Sequence, residues 1–166
     1  MFVGSADPKV DFVWVVDNSG SMAGEQAAVV NNASTFFTKL STKHLDFRLG
    51  VIATGSTGTN SCEMTAQNPA WALWGTGWTT AANGASAFSS NVNSVGTGGC
   101  GTDETGIFFM ERALGVHTGV AATITPRSGA KLIFVILSDE GDGYTTMANK
   151  AGANAPSTTF NTASNT

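Results

Sequence analysis

Charge is the scarcest property of this chain. Asp, Glu, Lys and Arg make up only 12% of its 166 residues, about half the share usual in a globular domain. Eight Lys plus Arg stand against twelve Asp plus Glu, for a formal net charge of −4. So few cations leave no basic stripe, which argues against nucleic acid and an anionic membrane surface as the main partner. Long hydrophobic runs are also missing, so no segment has the length of a bilayer-crossing helix. Residues 1–7 lack the basic end and apolar centre of a signal peptide, and the chain is expected to be an excised or mature domain. Two histidines, His44 and His117, lie in different segments without metal-ligand spacing and read as polar surface residues. Two cysteines, Cys62 and Cys100, lack the spacing of a Cys-x-x-Cys motif, which leaves two inert thiols or one disulfide. Both lie in polar stretches rich in Gly, Thr and Asn, not in apolar runs that would bury a thiol. The disulfide is the favoured reading, worth about 4 kcal/mol by the chain-entropy argument, and it implies an oxidising setting.

Gly, Ser, Thr, Asn and Ala take the place of the charges. Such a neutral polar surface suits an extracellular, cell-surface or periplasmic protein. The length fits one domain, residues 1–166, able to hide roughly two-thirds of its unfolded surface. The strongest local signal is VDFVWVVDNSGSM, residues 10–22. Its first part is nearly continuous in apolar, β-branched and aromatic residues, as expected of a strand buried on both faces in a parallel sheet. It stops at Asp17, Ser19 and Ser21, three oxygen-bearing side chains at alternating positions, with Gly20 between them to ease a turn. Carboxylate and hydroxyl oxygens suit a hard cation such as Mg2+. A loop at the carboxyl end of a central parallel strand is also where open α/β sheets gather ligands.

Further along, residues 25–40 read as a helix with Val29, Ala33, Phe36, Phe37 and Leu40 on one face. Residues 46–54 follow as a strand, completing a right-handed βαβ unit. Residues 55–80 hold Trp71, Trp74 and Trp78, which either cover the sheet edge or present an aromatic contact surface for a protein or sugar; the covering role is favoured. Residues 81–95 are expected to be helical, with Ala85, Phe88, Val92 and Val95 inward. The following GTGGCGT lacks the Gly-Lys-Ser/Thr ending of a phosphate loop. A helix over residues 103–115 is expected to turn Ile107, Met110 and Leu114 inward and to end at a glycine cap. Residues 130–137, AKLIFVIL, read as another strand buried on both faces, ending in Ser138, Asp139, Glu140, Gly141 and Asp142. Two such strands, each ending in acids, can bring those acids together if they are neighbours.

Asp17, Ser19 and Ser21 in DNSGSM, placed after VWVV and before a helix, resemble the DxSxS motif of von Willebrand factor type A domains. The resemblance spans residues 10–142, with specific motifs at its two ends. It implies a Rossmann-like, doubly wound, mostly parallel sheet flanked by helices and carrying a metal-ion-dependent adhesion site. The ligands it implies are Asp17, Ser19, Ser21, Asp139 and a threonine before the 103–115 helix, for which Thr102 is favoured over Thr105. Glu104, Glu140 and Asp142 are further metal or ligand contacts in reach, although solvated loop acids are the simpler reading for Glu140 and Asp142. The cofactor implied is Mg2+, or Mn2+ or Ca2+ in its place. The partner would be a protein or surface ligand offering a carboxylate, with a glycan as another candidate. Assembly with other chains or copies into a fibre or complex is the alternative. A Mg2+-dependent hydrolase is disfavoured because no Lys, His or Cys lies near either motif. Residues 143–166 contain no convincing further strand, so the domain is expected to be a fragment, shortened, or completed by another segment.

Overall fold

The computed structural model describes residues 7–55, 72–98, 105–117 and 120–142. The expectations placed on Cys62, Cys100, Trp71, Thr102 and Glu104, and on residues 143–166, lie outside the described residues. Strand β1 is Lys9–Val16, and a single 3-10 turn, Gly20–Met22, leads into helix α1, Ala23–Ser41. Strand β2 is Asp46–Ala53 and the two-residue β3 is Thr79–Thr80; helices α2, Gly84–Val95, and α3, Gly106–Ala113, precede β4, Lys131–Leu137. The architecture is α/β, with a mostly parallel sheet flanked by helices.

The strand order is β3-β2-β1-β4. β1 pairs in parallel with β2 on one side and β4 on the other, in a register that sets Val16 beside both Ala53 and Leu137. Only β3 runs antiparallel, against β2. β1 is therefore the central strand, and its apolar run has a partner on every side. Val13, Val15 and Val16 are completely buried. Parity along the strands assigns the two faces. Phe12 and Trp14 meet α1 and α2, with Trp14 5.7 Å from Phe36 and 5.4 Å from Phe88, both edge-on. Phe37 meets Phe47 on the same side. Helix α3 lies on the other face, where Gly106 comes against the side chain of Ile136.

Three expectations need correction. β4 is half-exposed rather than buried, with Ile136 44% accessible, because among the described residues nothing pairs with its outer side. The inward residues of α3 are Phe108, Phe109 and Ala113, all fully buried. Ile107, Met110 and Leu114 are only half-buried. His117 is not on the surface: it is 2% exposed, with Nε2 2.9 Å from Glu111 Oε2 and its ring edge-on to Phe108. The reason is local, for the helix ends in a tight turn at Gly115, whose φ of +70° only glycine adopts easily. The amide of Val116 then donates to the Glu111 carbonyl. The turn exposes Val116 and folds His117 back beneath α3.

The amino-terminal end of the sheet is closed by charge. Buried Asp11 receives Arg48 Nη2 at 2.9 Å and Arg127 Nε at 2.8 Å, and Arg127 also donates to Asp46. Burial by itself would raise the Asp11 carboxyl, but hydrogen bonds from Arg48 and Arg127 outweigh it and hold the group below the usual carboxylate range. Arg48 also stacks 3.8 Å over the Trp78 ring. Trp78 and Leu73 lie directly over Gly50, where an added Cβ would meet the Leu73 side chain. Trp74 and Trp78 are half-buried against the core.

Candidate functional site

The opposite end of the sheet, at the carboxyl ends of the parallel strands, carries the oxygen cluster. The backbone leaves β1 still tied on both sides: Asp17 N donates to Leu137 O at 2.9 Å, and Thr54 N donates to Val16 O at 3.2 Å. Asp17 is thus held between the ends of β4 and β2, with no exposed surface. Its Oδ1 accepts the Ser19 amide at 2.7 Å, a local turn that Asp forms readily. Its Oδ2 accepts the Ser138 hydroxyl at 2.7 Å across 121 positions of sequence. The register makes that contact inevitable, since Val16 and Leu137 are partners and Asp17 and Ser138 are the next residues along.

The loop then turns. Ser19 O accepts the Met22 amide and opens the 3-10 turn, bringing Ser19 Oγ and Ser21 Oγ to 3.1 Å. Gly20 does not adopt a positive φ, and an added Cβ would meet only Thr97 O at 3.9 Å. The turn therefore does not draw on the conformational freedom for which Gly20 was expected to matter.

Two amide side chains fix the loop to its surroundings. Asn18 Nδ2 donates to Gly55 O at 3.1 Å, at the end of β2. Gln26 Nε2 reaches back from the first turn of α1 and donates to both Asp17 O and Gly96 O, each at 2.8 Å. One amide group thereby clamps the DNSGSM loop to the loop after α2, 70 positions away.

The acids after β4 separate in role. Asp139 and Glu140 are exposed, and the Glu140 amide donates to Ser138 Oγ at 3.2 Å. Asp142 Oδ2 accepts the Ile107 amide at 2.9 Å, which places a carboxylate on an open N–H group at the start of α3, where the helix dipole favours it. Residues 138–142 therefore run from Asp17 to the start of α3. At that start stands Thr105, completely buried, with Oγ1 lacking a hydrogen-bond partner among the described residues. Asn18 Oδ1 is likewise buried without one. Buried polar atoms are nearly always paired, so these two oxygens have unused capacity to accept.

The structure thus brings together Asp17, Ser19, Ser21 and Ser138, with Asp139 one residue beyond, and puts Asp142 to use at α3. Ser138, Asn18 and Gln26 were not singled out by sequence. Ser138 had a signal, a hydroxyl directly after a strand whose end would face the DNSGSM loop if the two strands were neighbours. Gln26 had none, since a polar residue in the first turn of a helix is ordinary.

The oxygens fit a small hard cation. Adjacent ligands of an octahedron with bonds of about 2.1 Å lie about 3.0 Å apart, and the two serine hydroxyls are 3.1 Å apart. Among the described residues each Asp17 oxygen accepts one hydrogen bond and keeps a further lone pair. Among the described residues, no three His, Cys, Asp or Glu side chains converge as a metal group, so an ion here would rest largely on hydroxyls. None of the four ion pairs between described residues involves Asp17, Asp139 or Glu140. No helix among the described residues is long and apolar enough to cross a membrane. No protein-family model matches the chain, and no curated protein matches it.

Proposed function

We propose that the chain is a divalent-cation-dependent binding module of the von Willebrand type A kind, with a doubly wound sheet, in which an acidic group of a partner completes the coordination of an ion. The reading rests most on the Ser138 to Asp17 hydrogen bond of 2.7 Å, the direct sign that the two acid-bearing strand ends converge. Asp17, Ser19 and Ser21 supply the DxSxS oxygens, and Asp139 lies at the edge of the same loop pair. Thr105, with its buried unpartnered hydroxyl, now stands as the threonine candidate beside Thr102. Mg2+ or Mn2+ suits the short hydroxyl spacing better than Ca2+, whose bonds are longer.

The chemistry favours binding over turnover. Hydroxyl ligands add no charge, so an ion held by them stays electron-poor and gains by exchanging a water for a partner carboxylate. No described Lys, His or Cys touches the Asp17, Ser19, Ser21 and Ser138 group to act as nucleophile or base. The composition poor in charge favours a setting outside the cytosol, where Cys62 and Cys100 would be expected to pair.

Thermal unfolding of the non-reduced chain in chelator and then in Mg2+, Mn2+ or Ca2+ tests the site. At a hundred times the dissociation constant an ion bound only to the folded state stabilises by about 2.7 kcal/mol, a rise of several degrees. The rise is expected to vanish in Asp17→Ala, and binding of a carboxylate-bearing partner is expected to vanish in chelator. Equal midpoints with and without every cation would sink the reading.

A further inference from the structure

The charges of this chain are few, and they are sorted by end. Lys9 and Lys131 open β1 and β4, and Arg48 and Arg127 close on Asp11 and Asp46 at the same amino end of the sheet. Helix α1 leaves the carboxyl end of β1 and returns to the start of β2, so Lys39 in its last turn and Lys43 just beyond lie at the amino end too. Arg112 sits in the last turn of α3, the turn farthest from Thr105. Every Lys and Arg among the described residues is thereby placed away from the DNSGSM loop. The carboxyl end holds Asp17, Glu25, Asp139, Glu140 and Asp142 and, among the described residues, no Lys or Arg. Wherever they lie, residues 56–71, 99–104 and 143–166 do not restore the balance, since they add one cation, Lys150, against Glu63, Asp103 and Glu104.

The acids stand in two layers. Asp17 is buried within the loop, and at the same end Asn18 Oδ1 and Thr105 Oγ1 are buried without partners among the described residues, so the inner layer has oxygens to spare for a cation. Glu25, Asp139 and Glu140 are exposed and belong to no ion pair between described residues. Glu25, in the first turn of α1, lines one groove with Leu137. It therefore stands across from the end of β4, where Asp139 and Glu140 follow. This outer layer faces whatever approaches the ion.

We propose that the partner group completing the ion site is an aspartate or glutamate set among lysines or arginines, a basic surface around one acid. The inference rests on the ion-site reading above and deepens it. An ion held by one carboxylate and neutral hydroxyls keeps net positive charge and draws in a single partner carboxylate. A second partner acid beside the first gains nothing from the ion's filled site and meets Glu25, Asp139 and Glu140, and like charges so placed repel. A lysine or arginine at that position meets its opposite. Each such pair is exposed and contributes modestly, so the preference comes from the set of acids acting together. The same sorting of charge also steers, drawing a basic partner to the carboxyl end and away from the cations at the other.

Amide chemical-shift titrations of the chain in Mg2+ at low salt test it, with three end-blocked peptides as probes: Gly-Lys-Asp-Lys-Gly, Gly-Ser-Asp-Ser-Gly and Gly-Glu-Asp-Glu-Gly. The lysine peptide is expected to bind about tenfold more tightly than the serine peptide, and the glutamate peptide more weakly than either. Salt near about 1 M is expected to bring the lysine and serine peptides together. Glu25→Gln, at an exposed position, is expected to shrink the preference for lysine to about threefold. Chelator is expected to abolish the binding of all three. Mg2+-dependent binding of the serine peptide with the lysine peptide no tighter, or a preference that Glu25→Gln does not move, overturns the basic-partner proposal and leaves the ion site standing. Lysine-peptide binding that survives chelator also overturns it, because the acids then act without the ion. Peptides whose binding never depends on Mg2+ remove the ion site itself, and this proposal with it.

Discussion

Asp17 is a fully buried carboxylate whose two hydrogen-bond partners among the described residues are dipoles, the Ser19 amide and the Ser138 hydroxyl. Hydrogen bonds to a charged acceptor contribute about 1.5–3 kcal/mol each. Ser138→Ala is therefore expected to lower the unfolding midpoint in chelator by about 5 °C. An unchanged midpoint would mean that water replaces the hydroxyl and that Asp17 is less enclosed than its burial indicates. Asp11, at the far end of the same strand, is the opposite case, buried under two guanidinium groups. Its removal leaves both cations without their shared anion, so Asp11→Ala is expected to destabilise by about 3–5 kcal/mol. The pH dependence follows from the lowered carboxyl. A group that holds its proton less tightly when folded than when unfolded adds stability above the unfolded pKa, about 3.9, and loses it as the pH falls through the folded value. Urea midpoints measured from pH 5 downward are expected to fall more steeply below about pH 4 for the parent than for Asp11→Ala; parallel curves would remove Asp11 as the cause.

At the scale of elements, glycine positions decide between propensity and packing. Gly106 opens α3, and in a free helix alanine there would be favoured by about 1 kcal/mol. Here an added Cβ would fall 2.6 Å from Ile136 Cγ2 and 3.6 Å from Asp142 Oδ2. Overpacking of that kind costs about 1–3 kcal/mol, so packing is expected to win and Gly106→Ala to destabilise, as chemical denaturation can measure. Gln26 is the second element-level device, joining the DNSGSM loop to the loop after α2 through one amide. Gln26→Ala leaves two carbonyls without their shared donor and is expected to lower stability by about 1–3 kcal/mol and to loosen cation binding, read as a smaller thermal shift with Mg2+. A full Mg2+ shift on a less stable protein would confine Gln26 to folding. Neither device was visible in the sequence, because both depend on contacts between segments far apart. The elements themselves were legible: apolar periodicity gave α1 and α2 to within three residues at either end, and the β-branched runs gave β1, β2 and β4. Periodicity misassigned the inner face of α3, since eight residues crowded with Ile, Phe and Met fit more than one stripe. It also gave no warning that His117 turns inward after Gly115.

Across the whole molecule, the sheet order explains why the strand ends meet and why, among the described residues, the β4 edge is bare. β2 and β4 lie on opposite sides of β1, and right-handed crossovers then place α1 and α3 on opposite faces. Open α/β sheets gather ligands where the strand order reverses, and here the order reverses at β1, whose carboxyl end leads into Asp17. Sequence anticipated this point from two apolar runs ending in acids, but the neighbour relation of β1 and β4 comes only from the pairing. The same order makes a graded prediction for amide exchange. β1 is laced on both sides and its valines have no exposure, so its amides are expected to exchange only through global unfolding. β4 is laced on one side, and alternate amides along it point away from β1. In dilute chain, those outward amides are expected to exchange orders of magnitude faster than the inward ones. Uniform protection along β4 would show that another segment covers the edge.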